Sequence, residues 1–148
     1  MEKFLDRKED TIMNISKLGG WVFYVSENAN KLDNHKSGKW MYFFDNKEFV
    51  AKICKDAVEQ RIVVESKHSD NMTGVACFYL ESDDTETHKK ILKYFLDNNL
   101  IRKTKTGKFY NISFKLDNQT RNEEYGADFK SDIKLENFLN LSTGEWLV

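Results

Sequence analysis

Apolar positions recur with period two in some stretches of this chain and with period 3.6 in others, and the switches mark its elements. The clearest strand is Ser37–Phe44, S-G-K-W-M-Y-F-F, entered through Gly38 and left through Asp45. Trp21–Val25 (W-V-F-Y-V) is another, rich in aromatic and β-branched residues. The polar loop Ser26–Lys36 joins the two, and strands joined in this way most simply pair antiparallel. Arg61–Lys67 (R-I-V-V-E-S-K) reads as a third strand. Val75–Glu81 (V-A-C-F-Y-L-E) is nearly continuous in its apolar run, which predicts a central strand buried on both faces.

Two helices fall between the strands. Asp45 is placed to cap the first, with Glu48 completing a capping box, and the helix runs to about Gln60. Its stripe is Phe49, Val50, Ile53, Cys54, Ala57 and Val58, at helical spacing. Ser82-Asp83-Asp84 supplies caps for the second, Thr85–Asn98, whose stripe is His88, Ile91, Leu92, Phe95 and Leu96. Leu100–Thr104 and Phe109–Lys115 flank Thr106-Gly107 and predict a hairpin. A polar loop, Asp117–Asp128, follows. Leu135–Leu141 is a short helix or strand, and Ser142–Val148 holds a final strand. Residues 1–17 predict a helical extension with Phe4, Ile12 and Ile15 inward, ended by Gly19-Gly20. Residues 18–148 form one α+β domain, without repeats or a linker.

The chain of 148 residues, 40% hydrophobic and 14% aromatic, has ample material for one core. Lysine and arginine (23) nearly balance aspartate and glutamate (24), which argues against a general nucleic-acid coating protein while allowing a local basic patch. Cys54 and Cys77 lie in apolar surroundings and read as buried reduced thiols. With no zinc spacing, no signal-like start and no apolar run of ~20 residues, the expectation is a cytoplasmic protein without metal, cofactor or membrane contact. The absence of proline and the abundance of lysine, asparagine and aspartate suit an AT-rich bacterial or phage genome.

Several stretches carry a resemblance. They are Trp21 in its strand, S-G-K-W-M-Y-F-F, E-S-K at Glu65–Lys67, V-A-C-F-Y-L before an aspartate-capped helix, and F-K-L-D-N-Q-T-R-N-E-E-Y-G from Phe114. In this order, across about residues 16–148, the chain resembles the basophilic leukaemia-expressed protein family, whose fold is like that of translation initiation factor 4E. The resemblance implies a curved antiparallel sheet with two to three helices on one face, and a concave face where cap-binding relatives hold a nucleotide. Those relatives stack the base between aromatic rings, engage it with a carboxylate and bind its phosphates with Arg and Lys. No cap-type Trp-Glu motif is present, so methylated-cap recognition is not expected.

Candidate chemistry is therefore that of a binding site. Lys39, Lys67 and Lys115 each end an expected strand, and convergence would suit a phosphate, aided by the hydroxyls of Ser66 and Thr120. Each alone is more ordinarily a solvated lysine. Trp21, Trp40 and Trp146 are candidate rings for a base. Asp117, Thr120 and Arg121 form a candidate gripping loop, or an Asx turn, and Tyr125 sits in the family-like Tyr-Gly step. Alternation puts Trp40, Tyr42 and Phe44 in the core and Lys39, Met41 and Phe43 on the concave face. The basic hairpin tip, Arg102, Lys103, Lys105 and Lys108, suits phosphates but is ordinary for a solvated turn. His35 and His68 are assigned to polar loops and His88 to a helix face. No nucleophile elbow, Walker loop or metal motif is present.

The expected function is non-enzymatic binding of a nucleotide or other phosphorylated small molecule, for instance to sequester a signal in a phage or bacterial defence setting. The alternatives are a protein-interaction module, such as an inhibitor of a host defence enzyme, and a hydrolase or phosphodiesterase with an unrecognised site.

Overall fold

The computed structural model describes residues 13–27, 32–33, 35–117 and 133–148. Their elements are β1 (Met13–Leu18), β2 (Trp21–Ser26), β3 (Ser37–Phe44), α1 (Lys47–Glu59), β4 (Glu65–Ser69), β5 (Gly74–Glu81), α2 (Thr85–Asp97), β6 (Lys115–Leu116) and a 3-10 turn at Leu135–Asn137. The strands make one sheet, β1-β2-β4-β5-β3-β6, antiparallel at every step. α1 packs over β4, β2 and β5, and α2 over β5. The fold is α+β, with two α-helices among the described residues. None of its described helices is long and apolar enough to cross a membrane.

Several elements depart from the sequence expectation, each for a local reason. Met13–Leu18 is a strand where the end of a helix was expected. Gly19 (φ 60°) and Gly20 (φ 83°) form the two-residue connection of a hairpin that pairs Leu18 with Trp21. Positive φ at both central positions is what a hairpin of type I′ requires, and Gly-Gly supplies it without strain. The strand is almost wholly exposed, so it carries no apolar stripe that periodicity could detect. The rest of the expected N-terminal helix lies outside the described residues.

β2 and β3 do not pair. β2 lies between β1 and β4, and β3 between β5 and β6. The third strand also starts later than expected, at Glu65. The reason is the end of α1: Arg61 (φ 59°) donates its N–H to the Val58 carbonyl and Ile62 to the Ala57 carbonyl. That is a Schellman closure, and it consumes the residues after Gln60 before an extended run can begin. Asn99 (φ 58°) closes α2 in the same way, with Leu100 N–H on the Phe95 carbonyl. At the other end of α1 the cap is Asn46, whose side chain accepts the Phe49 N–H at 3.0 Å, so the expected Asp45–Glu48 box is not formed. The hairpin at residues 100–115 shrinks to one bridge, Lys103 to Phe109, around a tight turn at Gly107.

The core lies between sheet and helices. Trp40, Phe78, Phe95, Phe114, Leu92 and Leu139 are buried there. Within the helices, Tyr94 is buried and Leu96 half-buried, while Phe49 is 39% exposed and meets the Tyr42 ring edge-on. As expected, Ala76–Leu80 of β5 is buried on both faces.

Candidate ligand-binding face

In a strand, successive side chains point to opposite sides, and directly paired residues share a side. Trp40 pairs with Phe78, Phe78 with Ser66, and Ser66 with Tyr24. All four are buried and belong to the helix side. The residues between them define the second face. Phe23 pairs with Lys67 and Lys67 with Cys77. Lys39 pairs with Tyr79 on one side and Lys115 on the other. Lys39, Lys67 and Lys115, which are 76 positions apart at their extremes, thus point to one face, and Trp21 shares it two residues before Phe23.

Four corrections follow. Trp40, a candidate base-stacking ring, has no exposed surface. Its indole N–H donates to His88 Nδ1 at 3.0 Å, and its ring meets Phe114 and Phe138 edge-on. Ser66 is equally buried and donates its hydroxyl to the Cys54 carbonyl at 2.8 Å, which ties β4 to α1. Neither can touch a ligand on the second face. Trp146 is elsewhere too, beside Lys89 of α2. His68, expected in a loop, is buried in β4 and bonds the Tyr24 hydroxyl at 3.0 Å. Thr120, Arg121 and Tyr125 lie outside the described residues.

On the second face the Lys67 ammonium sits 4.0 Å from the centre of the Trp21 ring, 5.5 Å from Phe23 and 5.9 Å from Tyr79. A cation over aromatic faces is held by their quadrupoles. Among the described residues no carboxylate lies within 4.0 Å of it. Lys39 approaches the same Tyr79 ring, at 5.9 Å, but donates to Asp117 Oδ1 at 2.7 Å. Asp117 Oδ2 accepts the Ser37 hydroxyl at 3.1 Å, so this carboxylate is held from two sides. The pair is mostly buried, with 13% and 19% of the side chains exposed.

No protein-family model matches the chain, and no curated protein matches it.

Three groups on this face escaped the sequence reading: Phe23, Glu65 and Tyr79. Alternation from Lys67 points to Glu65, and alternation from Trp21 points to Phe23. Tyr79 was hidden because β5 is apolar on both sides. Burial pushes the Glu65 carboxyl up, opposed by Lys67. Burial likewise pushes up the Cys77 thiol and the Tyr79 phenol, so both keep their protons at neutral pH. The face therefore offers cations, rings and a carboxylate, with its thiol and phenol held in their least nucleophilic forms.

The acidic cluster after β5 is occupied by structure. Asp84 accepts the Thr87 N–H at 3.1 Å as the cap of α2, and Asp83 pairs with Lys36 at 3.0 Å. Among the described residues no three His, Cys, Asp or Glu side chains are grouped to hold a metal ion.

Proposed function

We propose that this chain binds a nucleotide or another phosphorylated small molecule, without turning it over, on the sheet face away from the helices. The observation that carries the reading is Lys67. It is a cation packed among three aromatic rings, with no carboxylate partner among the described residues, two strands away from the Lys39–Asp117 pair. A phosphate that draws Lys67 away from Trp21 frees the indole face for a base, and such stacking is worth ~1–3 kcal/mol. Glu65 lies beside Lys67 on the same strand face and is placed to accept hydrogen bonds from a base. The protonated Cys77 and Tyr79 favour binding over chemistry. A likeness to the initiation factor 4E fold belongs to the same proposal. It is supported by the sequence resemblance and by an antiparallel sheet whose helices lie on one side.

Thermal shift with a panel of mono-, di- and cyclic nucleotides tests the reading. At least one nucleotide should raise Tm, Lys67→Ala should abolish that rise, and the ligand should be recovered intact by chromatography. If no nucleotide raises Tm, or if Lys67→Ala keeps the full rise, the site is wrong. Loss of the nucleotide during incubation would replace binding with hydrolysis.

A further inference from the structure

The basic hairpin tip is not isolated in the fold. Lys89, Lys93 and Leu96 recur at intervals of four and three residues, so they line one side of α2. Along that side run two hollows of about 330 Å³ each. One is lined by Lys89, Lys90, Lys93 and Trp146. The other is lined by Leu96, Asn99, Ile101, Lys103 and Phe109. The opposite wall is continuous: Phe109 N–H bonds the Leu141 carbonyl at 2.9 Å, Leu139 bridges to Trp146, and Gly144 lies against the Phe109 ring.

Each hollow thus has one aromatic wall with a lysine over it. Lys89 Nζ is 5.7 Å from the Trp146 ring centre, and Lys103 Nζ is 4.9 Å from that of Phe109. Trp146 is 38% exposed, a large ring left partly open to solvent. Lys105 and Lys108 extend the charge beyond Lys103. The anions on this side are Glu86, one turn before Lys89, Asp97, which pairs with Lys93 at 2.9 Å, and Glu145, which precedes Trp146. Lys90 donates to the Arg61 carbonyl at 2.9 Å. The Lys93–Asp97 pair is exposed and worth little, so Lys93 can turn to a stronger anion.

We infer that this track along α2 binds single-stranded nucleic acid, weakly and with little sequence preference. Alternating ring and ammonium is what such a strand needs: aromatic faces for bases and cations for the phosphates between them. An acidic peptide would use the cations but leave the two rings without purpose. The span of α2 from Lys89 to Asp97, about 12 Å at 1.5 Å per residue, suits a contact of a few nucleotides. The site lies on the helix side of the sheet and is independent of Lys67.

Fluorescence anisotropy with a labelled oligothymidylate tests this in the full chain. Binding should appear at low salt and weaken as salt rises. With four lysines engaged, the log–log slope should be roughly −3, from about −0.7 per phosphate on single strands. Lys89→Glu/Lys93→Glu changes one half-buried and one exposed lysine and should reduce affinity at least ten-fold with Tm preserved. Trp146→Ala should reduce it roughly five-fold or more, the loss of one stacked base. Lys67→Ala, on the other face, should leave it unchanged. The inference is overturned if the oligonucleotide does not bind at low salt, or if the double charge reversal leaves binding intact. It is equally overturned if Lys67→Ala weakens binding as much as the reversal does, or if polyglutamate of equal charge binds as tightly.

Discussion

Trp40→Phe isolates one hydrogen bond in the core. The indole N–H can only donate, so His88 Nδ1 must accept, and the ring proton sits on Nε2, 2.8 Å from the Ser82 carbonyl. Phenylalanine keeps most of the ring but leaves Nδ1 buried with no donor. An unsatisfied buried acceptor costs ~1–3 kcal/mol. The lost ring volume adds roughly 1 kcal/mol, on the scale of small core truncations. The total, about 2–4 kcal/mol, is below the ~5–15 kcal/mol of a typical domain, so the variant should still fold. His88→Leu should cost a similar amount by orphaning the indole N–H. The double variant removes both ends of the bond, so its cost should fall short of the sum by ~1–2 kcal/mol. Urea titrations followed by far-UV circular dichroism, with unchanged slopes, measure all four corners of the cycle. Additivity within about 0.5 kcal/mol would refute the argument, because the two side chains would then not depend on each other.

Other outcomes are as definite. Burial holds the His88 pKa below its ordinary value, against the Ser82 hydrogen bond and the Asp84 and Asp83 charges that oppose the shift. The unfolded chain then binds the proton more readily, so this stability is complete above about pH 6.5 and is lost as pH falls below it. Unfolding free energy measured from pH 8 to 5 should decline at the acid end in the parent and be flatter in His88→Leu; equal slopes would exclude His88 as the cause. Gly38→Ala should be severely destabilising, since a β-carbon there would lie 2.5 Å from the Lys115 carbonyl oxygen and collide with the Phe114 ring. A Tm within a degree or two of the parent would show that β6 can move off β3 at little cost.

The helices were legible because each has a long apolar stripe that only period 3.6 explains. The side assignment of β3 was legible for a similar reason. Lys39 and Trp40 are adjacent in one strand and must point to opposite sides, and the cost of burying an unpaired charge decides which goes inward. Strand order was not legible. Ser26–Lys36 sits between two good strands, and nothing in its residues says that β4 and β5 will come between them. The start of β4 was hidden by a helix closure that uses Arg61 in the left-handed region, a position where glycine would have given the signal. β1 was hidden because an exposed edge strand buries almost nothing.

The same contrast separates structural polar groups from candidate ligand groups. On the helix side, the buried polar side chains Tyr24, His68, Ser66 and Trp40 are spent on joining elements. Tyr24 and His68 link β2 to β4, Ser66 links β4 to α1, and Trp40 links β3 to α2. The Tyr24 phenol, pushed up to about 12 by burial, stays protonated and keeps its bond to His68 across the working pH range. These groups resembled site residues in the sequence because buried hydrogen bonding and ligand binding draw on the same residue types. What distinguishes them is whether the partner is already in the fold. Trp40 and Ser66 have theirs, and a ligand would have to break a buried bond to reach them. Among the described residues Lys67 has only rings, which hold a cation less firmly than a phosphate would, and its displacement uncovers an aromatic surface. That difference makes the second face, and Lys67 within it, the place where an anionic ligand gains more than the fold loses.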